Sequence, residues 1–278
     1  MMTILNLDPS FTPMGEGIKF NRFSFPSGCE PHIKLLEIPQ EKAYITCRIK
    51  SSEDILILML AADALKRSGA KELSCVMPYL PFARQDRVMV DGEPLSIKVF
   101  ANLINSIGFK AVEIFDPHSE VGLALIENSI GVSNHFLVTM SLLDKQDFTI
   151  VSPDAGAYKK IFKLCQELKY EDAICLCNKT RDVSNGNITG VTCDTTDFNG
   201  KDLYIIDDIC DGGGTFVLLA NELRKRNCGK INLIVTHGIF SKGIEALEGI
   251  DHIYTTDSFK DYEPNEKLTV FRIKNYYY

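Results

Sequence analysis

The sequence predicts an α/β protein of two tandem domains, each a mainly parallel sheet flanked by helices. Three observations lead there. Strand-like apolar runs alternate with helical periodicities along nearly all of the 278 residues. A chain of this length can bury two separate cores. The polar, chemistry-bearing strings fall where strands end, and parallel sheets bind their ligands beyond the carboxyl ends of strands. The expected division is 1–135 and 136–278, with the joint inside 128–148.

In the first half, AYITCRI (43–49) reads as a strand and DILILMLAADALKRSGA (54–70) as a largely buried helix closed by Gly69. LSCVMPYLP (73–81) is a strand running into a loop. LSIKVFANLINSIG (95–108) is a helix whose apolar stripe is Ile97, Phe100, Ala101, Leu103 and Ile104, with Gly108 as its stop. KAVEIFD (110–116) is the next strand. The second half repeats the rhythm: strand FTIVSPD (148–154), helix AYKKIFKLCQELK (157–169), strand AICLCNK (173–179), strand DLYIIDD (202–208) and helix FVLLANELRKR (216–226). Strand INLIVTHG (231–238), a short helix and strand HIYTTD (252–257) complete it. Between them RDVSNGNITG (181–190) reads as a mobile loop, or as the turn of an ordinary hairpin.

Hydrophobic content of 45% and charged content of 24% are those of a globular protein. A net charge of −7 excludes broad nucleic-acid binding, so any phosphate site must be local. The nine cysteines form no C-x-x-C pair and fit reduced thiols in the cytoplasm. Cys175 and Cys177 alternate on one strand face, as packing residues do. No signal peptide and no apolar run of about 18 residues is present, so no membrane association is expected.

The most informative segment is YIIDDICDGGGTFVLLANELRKR, residues 204–226. A strand ends in Asp207 and Asp208, and then Asp211, Gly212, Gly213, Gly214 and Thr215 lead into a helix. Glycines let backbone N–H groups converge on phosphate oxygens, and the positive end of the helix dipole adds attraction. Carboxylates at the strand end can hold ribose hydroxyls or a divalent cation. Lys179 and Arg181 place two cations at the base of the polar loop, as a phosphoryl-transfer lid requires.

Taken together these strings resemble the ribose-phosphate diphosphokinases, or PRPP synthetases, collinearly over about residues 23–260. The resemblance implies two phosphoribosyltransferase-like domains, and transfer of the β,γ-diphosphate of ATP to the 1-hydroxyl of ribose 5-phosphate with Mg2+. It also implies a homo-oligomer, dimer or hexamer. PYLPFARQDR looks like the family's ATP-binding segment, implicating Arg84, Gln85 and Asp86. FDPHSE resembles the segment whose histidine lies beside ATP and metal, implicating Asp116 and His118. SPDAG implies a metal role for Asp154, and NKTR a catalytic role for Lys179 and Arg181. IIDDICDGGGT matches the ribose-phosphate loop, and FPSGCE, a loose match, adds Phe25 and Glu30 to the ATP side.

Where the family loop has Thr, this chain has Gly212, which removes a hydroxyl donor from the 5-phosphate pocket and opens space. That substitution leaves two acceptors open, ribose 5-phosphate and a 5-substituted ribose such as ADP-ribose, the latter in NAD salvage. A phosphoribosyltransferase, or a catalytically silent synthetase-like subunit, is the remaining reading. The ATP-type strings argue against the first, and the retained Lys179, Arg181 and loop acids against the second.

Overall fold

A computed structural model describes residues 2–25, 30–181 and 188–277, with the side chains of 179–181 and 188–189 outside that description. The chain divides into two compact units. The first comprises Met1–Ser133, Asp257–Asp261 and Arg272–Tyr278, and the second Asn134–Thr256 and Tyr262–Phe271. The two short returning segments carry no periodicity that would assign them to the first unit from sequence. Their membership comes from tertiary contacts: Ile273, Tyr276 and Tyr277 pack with Phe11, Val76 and Phe115.

The first unit holds a five-stranded, all-parallel sheet in the order β1-β4-β5-β6-β7, from β1 (Thr3–Asn6), β4 (Lys42–Thr46), β5 (Glu72–Val76), β6 (Ala111–Phe115) and β7 (Ser129–Val132). Three helices follow its strands: α1 (Ser52–Arg67), α2 (Ser96–Ile107) and α3 (Glu120–Leu125). α1 begins at a reciprocal cap, in which Ser51 accepts from the Asp54 N–H and the Asp54 carboxylate accepts from the Ser51 N–H. Its buried stripe is Ile57, Leu58, Ala61, Ala62 and Leu65, and basic Lys66 and Arg67 fill the last turn. α2 ends at Gly108, whose φ of 72° is the left-handed conformation glycine takes without strain. A separate antiparallel hairpin, β2 (Phe20–Ser24) and β3 (Pro31–Leu35), packs on α1.

The second unit holds a seven-stranded sheet, β10-β9-β8-β11-β12-β13-β14. Its strands are β8 (Phe148–Ser152), β9 (Cys175–Arg181), β10 (Ile188–Cys193), β11 (Asp202–Cys210), β12 (Ile231–Gly238), β13 (His252–Thr256) and β14 (Leu268–Phe271). All pairings are parallel except β9 with the edge strand β10. β12 is buried along its whole length, as a central parallel strand covered on both faces must be. The helices are α4 (His135–Leu142), α5 (Ala155–Leu168) and α6 (Gly214–Leu223). The short helix expected between β12 and β13 is instead a run of turns. Left-handed residues at Phe240, Gly243 and Gly249, with φ of 44°, 79° and 79°, interrupt any helical repeat there.

Candidate active site

In the second unit, β11 lies at the centre, between β8 and β12. Leu203 through Ile206 are buried, and the strand then changes character: Asp207 is half-buried and Asp208 is 8% exposed. Successive side chains of a strand point to opposite faces, so this pair presents carboxylates to both sides of the sheet edge. The Asp208 N–H donates to the Asp207 carboxylate at 2.9 Å, holding that side chain against the strand end.

After Cys210 the backbone turns through Asp211 and Gly212 into α6, with Gly213 as its N-cap at φ 75°. A side chain at Gly213 would also place Cβ 2.5 Å from a Leu247 methyl, so glycine is required twice over. The Phe216 and Val217 N–H groups close onto the Gly213 carbonyl at 2.9 and 3.1 Å, and the N–H groups ahead of them lie at the positive end of the helix dipole, where an anion is favoured. This is the arrangement anticipated for Asp207, Asp208, Asp211, Gly212, Gly213, Gly214 and Thr215, and all seven lie on one strand end, turn and first helical turn.

β8 runs parallel beside β11, with Ile205 opposite Val151, so their outer ends adjoin. Asp154 follows β8 and caps α5, its Oδ1 accepting the Ala157 N–H at 3.0 Å. The acids at these adjoining ends are hard oxygen donors, the type that suits Mg2+, whereas the imidazole of His118 matches that ion less well. β9 flanks β8 on the other side and carries Lys179 and Arg181 on its last residues, opposite Val191 and Ile188 of β10. Their side chains lie outside the described residues, as do residues 182–187 of the proposed loop.

Cys175 and Cys177 meet Cys193 of β10, with sulfur separations of 3.9 Å for the first two and 2.8 Å for Cys177 and Cys193. Ligands of one tetrahedral zinc stand about 3.7 Å apart, from Zn–S bonds of about 2.3 Å. The Cys177–Cys193 contact is shorter than that spacing, and Cys175 and Cys177 sit in the core of the second unit with Phe198, Leu203 and Leu219. Hydrogen bonds with the flanking Cys175 and Cys193 sulfurs, and then burial, drive the Cys177 thiol upward in pKa.

In the first unit, Arg84, Gln85 and Asp86 lie on the loop between β5 and α2, Arg84 and Gln85 exposed. The Gln85 N–H closes a turn onto the Phe82 carbonyl at 2.9 Å. The Asp86 carboxylate is held below the usual carboxylate range, first by the Arg87 hydrogen bond at 2.8 Å, against burial, then by Ser119 and the charge of His118. The two strings ARQDR and DPHSE are therefore neighbours. Asp116 is buried at the β6 exit with φ 38°, its N–H donating to the Val132 carbonyl at 2.7 Å, and His118 projects two residues further on, exposed. Phe25 and Glu30 belong to the β2–β3 hairpin, where the Phe25 N–H donates to the Glu30 carbonyl at 3.2 Å. The Phe25 ring is 48% exposed and contacts Phe23 and His32.

Two features escaped sequence reasoning. Arg48, just beyond β4, is a buried guanidinium whose five N–H groups reach Asp8, Ser10, Asp261 and the Asp257 carbonyl. Nothing in CRIK announces this, because its partners are distant in sequence. Lys242 lies beside the glycine turn, its Cε 3.5 Å from where a Cβ on Gly212 would stand. The string THGIFSK was the only available signal for it.

The parallel sheets and the glycine turn between β11 and α6 define a phosphoribosyltransferase-type α/β protein. Residues 20–108 match the N-terminal domain of ribose phosphate pyrophosphokinase, and residues 132–271 the phosphoribosyl transferase domain. The ribose-phosphate pyrophosphokinase of Mycoplasmopsis pulmonis (strain UAB CTIP) is 32% identical over 80% of this chain, which spans 70% of that relative. That of Mycoplasma pneumoniae (strain ATCC 29342 / M129 / Subtype 1) is 31% identical over 68% of the chain, which spans 58% of it. The crystal structure of phosphoribosylpyrophosphate synthetase from Mycobacterium smegmatis shares the fold, with a TM-score of 0.85 at 22% identity over 99% of this chain and 95% of that one. The chain belongs to the ribose-phosphate pyrophosphokinase family. Among the described residues no helix is long and apolar enough to cross a membrane.

Proposed function

We propose that the protein transfers the β,γ-diphosphate of ATP to the 1-hydroxyl of ribose 5-phosphate, giving PRPP and AMP. The observation that carries this reading is the acid-tipped β11 turning through glycines into α6, in a chain of this family. The 5-phosphate binds the N–H groups at the start of α6, where the dipole and Thr215 receive it. Asp207 and Asp208 accept hydrogen bonds from the ribose 2- and 3-hydroxyls and so aim the 1-hydroxyl. Arg84, Gln85, Asp86 and His118, with Phe25 and Glu30, form the nucleotide side. Asp154 in the second unit and His118 in the first are each a candidate metal ligand, and Mg2+ when bound would supply neutralisation of phosphate charge. Lys179 and Arg181 hold the transferring phosphates, Arg181 through its planar fork, and need only charge and position. The protein works as a homo-oligomer in the cytoplasm.

The test is AMP release by the purified protein from ATP and Mg2+ with either ribose 5-phosphate or ADP-ribose. Release with ribose 5-phosphate is expected. Release with ADP-ribose alone, or with neither, refutes the assignment.

A further inference from the structure

Gly212 has no structural reason to be glycine. Unlike Gly213, it does not occupy the left-handed region, and an added Cβ would meet only ordinary contacts: Lys242 Cε at 3.5 Å and Cδ at 3.7 Å, and Ser241 Oγ at 3.8 Å. A backbone with room for a Cβ carries the residue that has none, next to the stem of a lysine.

The position of that lysine is built. The Ile239 and Phe240 N–H groups donate to the Cys210 carbonyl at 2.8 and 3.1 Å, and the Ser241 N–H to the Asp211 carbonyl at 3.2 Å. The Gly243 N–H closes the turn onto the Phe240 carbonyl at 3.0 Å. The Tyr262 hydroxyl donates to the carbonyls of Gly238 and Ile239, and its ring packs edge-on against Phe240. The turn bearing Lys242 is thus hydrogen-bonded to the phosphate turn and braced from behind.

Charge supplies the second argument. The stretch 202–223 contains no Lys or Arg but carries Asp207, Asp208 and Asp211, and Glu245 lies beside Gly243. A phosphate dianion entering among these acids needs a cation near the turn.

We propose that Lys242 belongs to the ribose-phosphate site, its ammonium taking the place of the side chain that Gly212 lacks and binding the substrate's 5-phosphate. This rests on the reading of the site given above. It assigns recognition of the terminal phosphate to a point charge from a neighbouring loop rather than to a side chain of the turn itself. A charge-assisted contact of this kind, absent from the reacting centre, supports binding of substrate and transition state alike.

The experiment compares the wild-type protein with Lys242→Met, Lys242→Arg and the double variant Lys242→Met/Gly212→Thr. Steady-state AMP release and direct calorimetric binding of ribose 5-phosphate are both measured. Lys242→Met is expected to raise KM and the dissociation constant for ribose 5-phosphate about tenfold or more, with kcat and the KM for ATP within about threefold. Lys242→Arg should recover most of the affinity, and the added threonine part of it. Inorganic phosphate should compete less well against the Met variant. Unchanged ribose 5-phosphate affinity in Lys242→Met, with an unaltered melting temperature, overturns the proposal. A wild type that binds ribose 5-phosphate but releases no AMP would refute the proposed reaction alone, since the binding comparison still tests the lysine.

Discussion

Replacing Arg48 by Met should cost about 3 kcal/mol of stability in the first unit. The side chain is 1% exposed, forks onto Asp261 at 2.9 and 3.2 Å, and reaches Asp8 at 2.7 Å and the Asp257 carbonyl at 3.1 Å. Removing one member of a buried ion cluster costs about 3–5 kcal/mol because the remaining charges lose their partner. The lower end applies here, since Lys50 still pairs with Asp8 at 2.9 Å and Arg272 with Asp261 at 2.9 Å. Methionine also gives up the guanidinium carbon that stands 5.1 Å from the Phe11 ring centroid. Amide exchange followed by mass spectrometry reads the effect where it acts: segments 257–261 and 272–277 should lose protection while β11 and β12 keep theirs. The loss also has a pH signature. Burial raises the Asp261 carboxyl, but the Arg48 and Ser10 hydrogen bonds overturn that and hold it at about 2, below its ordinary 3.8. A depressed carboxyl stabilises the fold above its unfolded value and loses that contribution as pH falls through the folded one. The gap between wild type and variant should therefore be full above about pH 4 and shrink toward pH 2. A loss under about 1 kcal/mol, or a gap that does not change with acid, would refute the argument.

Three further outcomes are expected. Gly213→Ala should lose about 2 kcal/mol, from its positive φ and the Leu247 contact, whereas Gly212→Ala should melt within about 0.5 kcal/mol of wild type; equal losses in a denaturant titration would contradict the turn geometry. Lys179→Ala should lower kcat by about 10²-fold or more while ATP affinity stays within about tenfold, read by AMP release and calorimetry; unchanged turnover removes it from the mechanism. Chelation of divalent ions should stop AMP release and added Mg2+ restore it, with Asp154→Asn raising the Mg2+ needed; activity persisting in chelator would exclude the metal role.

The parts of this chain visible in its sequence are those whose burial repeats along one element. α1 announces itself through Ser51, Asp54 and a stripe of five buried residues, and α2 through its stripe and Gly108. The β2–β3 hairpin was invisible because Phe20–Ser24 is almost wholly exposed and carries no alternation. α4 was missed for the opposite reason: HFLVTMSL is apolar on nearly every side, so no face stands out. The acids and glycines at and beyond the end of β11 were legible because one continuous segment holds strand, turn and helix start. Lys242 was not, for an exposed lysine in a loop resembles any other until the neighbouring turn is drawn. Gly213 and Gly212 then separate: φ and Leu247 account for the first, and the backbone gives no account of the second. A glycine that the fold does not need marks space kept for something else. At the proposed anion site, with acids around it, the adjacent cation and its ligand are the occupants that chemistry requires.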